Sequence, residues 1–473
     1  MTTSAERAVL SRRRMVQRVA AATLAAAGSA VLSACGSAPA VVATDTPTQP
    51  ATPIQAARPA PTASPAAAST PAPTLAPSAA GKTPVVFYHS FNAAQQPRVE
   101  SILVSNVKRD LPGIDLQITP TKATYTDLQI LIAGGSQPDV AMNNGLNPLG
   151  MFTDPTTYIA RDKLDLGPYN PILLDFLKWG GVLWSLPASV GGNGPMWAFN
   201  KTRFDNAGIP YPPDQWNDPT WTWDELVKRA SQLTTKQGDK TTYGFGPLWA
   251  FHAQPRPWGT QWIKLDLQTV TADTPEMHQA FTVWQDLFCK YGVLPKPSDK
   301  SGYNTTDDTI LAGASAIKPI GAWNYAQYVQ SPNVTWAFAP VPKGTVTACD
   351  QTYFGVSIVA GAKHPDGAWQ FARWLATTPD YTLVRQVPPA LPVLFDKWLP
   401  AVFGKQVTER RAHLIKDGLA FAAPSDGLVY HPKQKQMISQ VNPMIEQVSN
   451  CALSPADMLR QAQSQLSALA AAP

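Results

Sequence analysis

The chain has 473 residues with a formal net charge of +5 at pH 7, and hydrophobic side chains make up 44% of it. This length is enough for two domains with substantial hydrophobic cores. Residues 1–34 contain five arginines and one glutamate, a net charge of +4, so the rest of the chain is close to neutral. Composition therefore argues against a nucleic-acid-binding or polybasic surface.

Residues 1–34 have the pattern of an export signal. A basic stretch ending at Arg18 precedes an Ala-rich apolar segment, residues 19–32, which is too short for a comfortable permanent membrane span. The sequence SRRRMV at Ser11–Val16 is typical of a twin-arginine signal, and a general secretory leader is the alternative. We predict that 1–34 is a signal peptide.

The end of this leader predicts a lipid anchor. Leu32–Gly36 (LSACG) resembles the lipobox of bacterial lipoproteins, in which the cysteine, here Cys35, is acylated and becomes the new amino terminus. Since one acyl chain binds membranes only marginally, multiple acylation would hold the protein at the outer face of the cell membrane. The following segment to residue 81 is rich in Pro, Ala and Thr, so we predict a disordered tether over 35–81.

Strand and helix patterns alternate from residue 82 onward, which predicts an α/β fold with a parallel sheet covered by helices. Open sheets of this kind bind ligands beyond the carboxyl ends of their strands, here residues 88–92 and 143–145. The predicted elements are strand Pro84–Tyr88, helix Val99–Leu111, strand Ile114–Ile118, helix Tyr125–Ala133 and strand Asp139–Met142.

Three cysteines follow Cys35, namely Cys289, Cys349 and Cys451. An odd number outside the cell permits one disulfide and one free thiol, and spacing does not identify the pair. The helical pattern around Cys289 favours a buried small hydrophobe. The sequence has neither a C-x-x-C nor an H-E-x-x-H motif, and its six histidines are scattered, so we predict no metal and no cofactor.

A surface hydrolase is the first alternative from the residues. No G-x-S-x-G occurs, and Ser315–Lys318 (SAIK) fits the S-x-x-K motif of penicillin-recognising enzymes. The S-D-N and K-T-G companions of that motif are missing, and adjacent Asp307 and Asp308 would face apart on a helix. We therefore predict binding without turnover, not an enzyme.

Several blocks in order make the chain similar to the family 1 extracellular solute-binding proteins, the lipid-anchored receptors of ABC importers, often for sugars. They are LIAGGSQPDVAMNN, then GVLWSLPASVGGNGPMWAFNKTRFDNAGIPYPP, then TWDELVKRASQLT, and finally LAGASAIKPIGAWNY with FAPVPKG and HPDGAWQFARWLATTPD. The similarity covers most of Pro84–Leu466. Two departures are the insertion Asn217–Trp221 and the ASAIKP segment, where the family has a shorter step.

The resemblance implies a two-lobed periplasmic-binding-protein-like fold, each lobe a mainly parallel sheet flanked by helices, which closes on its ligand. We expect hinge crossings near Ala188–Asn193, Ala314–Ile320 and Arg385–Pro389. Lobe one would then comprise 82–190 plus 320–385, and lobe two 191–319 plus 386–473. The implied partners are a carbohydrate ligand and the permease subunits of an ABC importer, and we expect a monomer.

Candidate ligand-binding residues follow strand ends or hinge segments, except that Tyr353 and Phe354 are predicted to precede a strand. They are aromatic or amide side chains suited to sugars, or glycines that permit close approach. They are Tyr88, His89, Phe91, Asn92, Asn144, Gly192, Asn193, Trp249, Trp258, Trp323, Asn324, Tyr325, Tyr353 and Phe354. A packing role is the alternative for each aromatic residue. A polyamine or phosphodiester ligand and a sensor-kinase partner remain alternatives, although the cleft segments lack clustered carboxylates or cations.

The stretch YPPDQWNDPTWTWDEL contains three tryptophans but predicts mainly a helix start. Thr222 and Glu225 form a capping-box pattern, and Trp223 begins an apolar helical face. Trp223 should therefore anchor a core. Trp216 and Trp221 flank the insertion, and we expect them to fold back on the domain.

Overall fold

The computed structural model describes residues 81–89, 96–120, 125–143, 150–192, 196–246, 251–299, 309–331, 335–404, 409–424 and 426–471. The predicted signal peptide, Cys35 and nearly all of the predicted tether lie outside these residues. So do the candidate site residues Phe91, Asn92, Asn144, Asn193 and Trp249. All described residues belong to one compact unit, Thr70–Pro473.

Strands and helices alternate as predicted up to residue 143, whereas later parts of the chain contain consecutive strands and consecutive helices. The strands are β1 (Thr83–His89), β2 (Ile114–Pro120), β3 (Val140–Asn143), β4 (Lys178–Trp179), β5 (Val182–Leu183), β6 (Leu186–Gly191), β7 (Met196–Asn200), β8 (Thr235–Gln237), β9 (Lys240–Phe245), β10 (Ser315–Ile320), β11 (Trp336–Ala339), β12 (Cys349–Ile358) and β13 (Ala422–Pro424).

The helices flank these strands, and each of the first five predicted elements is confirmed to within a few residues. The helices are α1 (Gln96–Asp110), α2 (Tyr125–Ala133), α3 (Thr156–Arg161), α4 (Pro171–Phe176), α5 (Lys201–Ala207), α6 (Trp223–Leu233), α7 (Pro275–Cys289), α8 (Tyr325–Val329), α9 (Pro365–Thr377), α10 (Asp380–Arg385), α11 (Phe395–Phe403), α12 (Glu409–Asp417), α13 (Gln434–Ser449) and α14 (Pro455–Ala471).

The first sheet has the order β13-β12-β3-β1-β2, and β6 also pairs with β12. Strand β1 is parallel to both β2 and β3, as the alternating pattern predicted, while β12 is antiparallel to β3 and β6. Asp139 fastens this sheet, because its carboxylate accepts hydrogen bonds from the backbone N–H groups of Val86 and His364, both at 3.0 Å. One carboxylate thus joins β1 to the segment that begins α9.

The second sheet has the order β11-β7-β10-β9-β8 and corrects the expectation of mainly parallel pairing. Only the β10–β9 pairing is parallel, whereas β10–β7, β11–β7 and β8–β9 are antiparallel. The short connection between β8 and β9 allows only a hairpin, since parallel neighbours need a long crossover. The α/β class and two-lobed architecture are nonetheless confirmed.

The chain passes between the two sheets at three places. The first passage follows β6, and the third lies between Val387, which packs in the core of the first sheet, and Ala390, which packs in the larger core. The second lies between β11 and β12, so the predicted crossing at Ala314–Ile320 is wrong. That segment is the strand β10, a central member of the second sheet, and β11 also remains there.

The tryptophan-rich stretch packs inside the protein, as predicted. Thr222 caps α6 by accepting a hydrogen bond from the Glu225 backbone at 3.3 Å, and Trp223 is buried on its apolar face. The indole N–H of Trp216 donates to the Leu414 carbonyl at 2.8 Å, and that of Trp221 donates to the Pro340 carbonyl at 2.9 Å. All three rings therefore hold the fold together.

A disulfide joins Cys289 to Cys451, which corrects the expectation that Cys289 is a buried thiol, and Cys349 is free and buried. The carboxyl end of α7 lies beside the carboxyl end of α13, where the Trp284 indole donates to the Ser449 hydroxyl at 2.8 Å. None of the helices in the described part of the chain is both long and apolar enough to cross a membrane.

Candidate ligand-binding site

Three crossing segments lie side by side and form what we call the hinge ribbon, which consists of β6, β12 and Pro388–Pro389. β6 pairs with β12 on one side, and on the other its Val190 N–H donates to the Pro388 carbonyl at 2.8 Å. Both strands bridge the two cores. Val190 of β6 and Tyr353 of β12 pack in the larger core, whereas Ala188 of β6 and Val356 of β12 pack in that of the first sheet. The ribbon is therefore the described connection between the lobes.

The hinge ribbon extends beyond the carboxyl ends of the parallel strands. In the register, Asn143 at the end of β3 lies opposite Gly355, and His89 at the end of β1 lies opposite Pro120. Ligands of open α/β sheets bind beyond this edge. The predicted location of the site, at strand ends beside a hinge, is therefore the edge where β1 and β3 end beside β12.

Neighbouring residues of β12 face opposite sides of the ribbon. Tyr353 is fully buried, its ring packs edge-to-face on Tyr169 with centroids 6.0 Å apart, and its hydroxyl accepts a hydrogen bond from the Asn170 N–H at 3.0 Å. Burial raises the pKa of Tyr353. Phe354 lies on the other face and is partly exposed. Of this predicted pair, only Phe354 is partly exposed.

Two glycines allow the ribbon strands to pack closely. A side chain at Gly191 would meet the ring of Phe354, since an added Cβ would lie 2.3 Å from its Cε2 atom. Gly192 has φ +134°, and an added Cβ there would lie 2.2 Å from the Asp350 carbonyl oxygen. The predicted need for glycine at 192 therefore has a conformational and a steric cause.

The two candidates at the end of β1 lie in the interior. Tyr88 is buried beside Leu128 and Met151, and the Nε2 atom of His89 is 2.8 Å from the Tyr381 hydroxyl. Burial raises the pKa of Tyr381. These contacts tie the end of β1 to α10, so they shape the strand end and offer no open surface.

The segment containing Trp323, Asn324 and Tyr325 lies beside the ribbon, because the 3₁₀ turn Ala322–Asn324 packs against β6. The side-chain oxygen of Asn324 accepts a hydrogen bond from the Gly321 N–H at 3.0 Å. Tyr325 is buried and packs on Phe338. The Trp323 side chain lies outside the described residues, but its backbone is brought to the hinge.

Trp258 packs in the core. Its ring lies 5.1 Å from that of Trp223, which in turn contacts Trp197 at 5.5 Å between centroids. Trp258 is only 6% exposed. Trp258 therefore belongs to the same aromatic cluster as Trp223, the first residue of α6. Its ring packs in this cluster and not on the side of the ribbon that carries Phe354.

Sequence reasoning missed a buried polar cluster close to the ribbon. Arg256 Nη2 lies 3.7 Å from Asp426 Oδ2, and both residues are buried. Burial raises the pKa of Asp426, whereas Arg256 lowers it. Burial lowers the pKa of His252, and the charge of Asp350 in β12 acts in the opposite direction. No sequence motif marks these residues, which come together only through tertiary packing.

Ser189 was also missed, although it lies within the predicted crossing. It is 1% exposed, and its Oγ atom is shielded from solvent without a hydrogen-bond partner within the described part of the chain. Ser189 lies directly opposite Phe354 in the β6–β12 register. Ser189 belongs to the ASVGG segment of the predicted crossing, but no sequence motif marks it as a site residue.

Ser315, which the hydrolase alternative would use as its nucleophile, makes structural contacts. Ser315 is buried in β10, and its Oγ atom is 2.6 Å from the Thr309 hydroxyl. Among the residues that the structure describes, no group of three or more His, Cys, Asp or Glu side chains could hold a metal ion.

Two α/β sheets connected by three crossings define the class of two-lobed periplasmic binding proteins, and the candidate site lies at the strand edge beside these crossings. Sequence comparison identifies the family within this class. The profile of a family described as bacterial extracellular solute-binding protein matches residues 93–381, more than half of the chain. The chain belongs to this family, which supports the prediction of binding without turnover.

Individual relatives differ in what they bind. A maltotriose-binding protein of Pyrococcus abyssi is 21% identical over 361 residues, covering 71% of this chain and 73% of its own length. An ABC substrate-binding protein of Listeria monocytogenes in complex with cycloalternan is 21% identical, with a TM-score of 0.67, over 82% of this chain and 99% of that one.

UgpB from Mycobacterium tuberculosis, in complex with glycerophosphocholine, is 17% identical with a TM-score of 0.66, over 82% of this chain and 98% of that one. The two structural similarities are nearly equal although one ligand is a saccharide and the other a phosphodiester. At these identities the likeness shows the fold, and the choice of ligand depends on the residues of the site.

Proposed function

We propose that this protein captures a sugar or oligosaccharide by lobe closure and delivers it to an ABC importer. The observation that carries the proposal is the side of the hinge ribbon that carries Phe354, the one residue of the ribbon that is not buried, which lies opposite Ser189. Aromatic faces pack against the C–H surfaces of sugars, and hydroxyls match their polar edges. The maltotriose and cycloalternan bound by the two relatives named above support this class.

The charges of the ribbon argue against the alternative solutes. Its three segments contain no lysine or arginine, the cations that a phosphodiester would require. They contain one carboxylate, Asp350, which is too few for a polyamine. A neutral polyhydroxylated ligand fits this composition best. The glycerophosphocholine of the Mycobacterium tuberculosis protein makes a phosphodiester the second candidate to be tested.

The predicted site residues divide by their surroundings. Phe354, Gly192 and Asn324 belong to the ligand site in this proposal, as do Phe91, Asn92, Asn144, Asn193, Trp249 and the Trp323 side chain, which stay predictions from the sequence. Tyr88, His89, Trp258, Tyr325 and Tyr353 support the site from beneath through the packing described above.

The lobes would close by bending at the hinge ribbon. Sheet membership supports a change of boundaries, with the segment from Gly192 to Ala348 assigned to lobe two and the return to lobe one placed in β12. Ligand must favour the closed state for binding to be reported to a partner. That partner is the pair of permease subunits in this proposal, and a sensor kinase is the alternative.

A binding titration tests the ligand class. Isothermal titration of full-length protein in a non-glycosidic detergent with maltotriose, a cyclic tetrasaccharide, glycerophosphocholine and spermidine should give heat with a saccharide. Heat with glycerophosphocholine alone would assign the protein to the phosphodiester class, and heat with spermidine alone to the polyamine class.

We also propose that Cys35 is acylated and anchors the protein outside the cell as a monomer. Cys35→Ala should release the protein from membranes into the soluble fraction on cell fractionation. A Cys349→Ala variant, which alters the buried free thiol, serves as the control and should stay attached. Membrane attachment of the Cys35→Ala variant would contradict lipidation.

A further inference from the structure

The position of the Phe354 ring depends on the residue beneath it. The three atoms nearest to an added Cβ at Gly191 all belong to that ring, at 2.3, 2.6 and 2.8 Å. Gly191 pairs near Thr352, two residues before Phe354, so the ring leans diagonally across β6. Because contacts below 3 Å are not tolerated between carbon atoms, any side chain at 191 would push the ring away.

A β-bulge fixes the direction in which Phe354 points. Phe354 pairs with Ser189 and Gly355 pairs with Pro187, so Ala188 is an extra residue in β6. Bulges bend a strand and reorient side chains, and they are frequent beside functional sites. Here the bulge lies where β12 leaves one core and enters the other. The Phe354 ring therefore lies directly at the bend of the hinge.

The Ser189 hydroxyl supplies a polar group next to this ring. Directly opposite residues of an antiparallel pair share one face, so Ser189 and Phe354 lie on the same side of the ribbon. The hydroxyl is shielded from solvent and has no hydrogen-bond partner within the described residues. A buried hydroxyl without a partner is unfavourable, and a ligand hydroxyl that displaces the groups covering it would satisfy it.

We propose that Gly191, Ser189 and Phe354 form a sugar contact built into the hinge itself, an inference that rests on the proposed function. A pyranose ring would stack on Phe354 while one of its hydroxyls exchanges a hydrogen bond with Ser189. Gly191 is a positioning residue, since it acts through the ring that it seats. Ligand contact with a strand that must bend on closure couples occupancy to the closed state.

This arrangement makes Ser189 a specificity-determining residue for a sugar with a free hydroxyl beside its apolar face. Ser189→Ala should weaken maltotriose binding by roughly 3- to 10-fold, the range of one neutral hydrogen bond. One singly deoxygenated maltotriose should bind wild type and Ser189→Ala equally, because it lacks the matching hydroxyl. A structural role of Ser189 would instead weaken all ligands alike.

The role of Gly191 is tested by a double-mutant cycle in the full-length protein. Gly191→Ala and Phe354→Ala should each weaken maltotriose binding by on the order of 10-fold or more, through loss of ring stacking. Combined, they should weaken it no more than Phe354→Ala alone, since no ring remains to be displaced. Gly113→Ala is the control, because an added Cβ there meets no atom within 4 Å and Gly113 has no positive φ.

The outcomes separate the two levels of the proposal. Wild-type protein that binds no saccharide would overturn the proposed function and this inference with it. Saccharide binding that survives Phe354→Ala and Gly191→Ala unchanged would overturn the hinge contact alone. Thermal unfolding of each variant, measured beside binding, identifies any variant that fails to fold, and additive losses in the cycle would show that Gly191 does not act through Phe354.

Discussion

Two aromatic regions of this protein each contain a predicted ligand-binding residue, Trp258 in one and Phe354 in the other, and they differ in the structure. The cluster of Trp197, Trp223 and Trp258 is buried, with each ring covered by another. Phe354 on the hinge ribbon is partly exposed and rests on a glycine. The rings of the cluster pack on one another and stabilise a core, whereas Phe354 packs on the backbone of Gly191 and stays partly exposed. The number of tryptophans is therefore a poor guide to the binding site.

The largest effect should follow removal of a ring from the core cluster. Trp223 is 5% exposed and begins the apolar face of α6. Trp223→Ala should lower the free energy of unfolding by about 3–5 kcal/mol, measured by denaturant titration, because it leaves a large cavity. The folded fraction should bind its sugar with the wild-type Kd. A loss of affinity without a loss of stability would place Trp223 in the site and break the comparison.

Loss of the disulfide should destabilise the same side of the molecule to a lesser degree. Cys289 and Cys451 are 162 residues apart in the sequence, so the bond constrains a long loop of the unfolded chain. Replacing both by serine should lower the free energy of unfolding by about 2–4 kcal/mol. Binding at the hinge ribbon should remain. Equal stability of the variant and wild type under oxidising conditions would contradict this account.

The smallest effect concerns pH and the buried polar cluster behind the ribbon. Burial lowers the pKa of His252 below its ordinary value of 6.5, so the unfolded state binds a proton that the folded state resists. Stability from this residue is present above pH 6.5 and should fall as pH decreases below it. His252→Gln should flatten the thermal-unfolding profile between pH 7 and pH 5. An unchanged dependence of the unfolding temperature on pH would show that His252 does not cause the loss of stability at low pH.

The sequence predicted the three parallel strands β1, β2 and β3 of the first sheet well because their determinants are local. Pro84–Tyr88 and Ile114–Ile118 are apolar runs bounded by turns, and each is a strand in the structure. It also predicted that Trp223 anchors a core, since helical periodicity alone places that residue on the apolar face. The resemblance added the two-lobed architecture, which the family and the fold confirm.

The second sheet and the site depended on long-range pairing that local patterns do not contain. The resemblance predicts a crossing at Ala314–Ile320, yet the pairing of this segment with β7 and β9 makes it a central strand. Tyr353 and Phe354 are indistinguishable in sequence, and only their alternation in β12 assigns them to opposite faces. Ser189 could have been found only through its register with Phe354.

The most direct test of the central claim is a comparison of saccharide and non-saccharide binding by the full-length protein and its Phe354→Ala variant. Isothermal titration should give saturable heat with maltotriose or a cyclic tetrasaccharide, none with glycerophosphocholine or spermidine, and weaker saccharide binding by the variant. Saturable heat with glycerophosphocholine, unaffected by Phe354→Ala and without any response to saccharides, would contradict both the ligand class and the site.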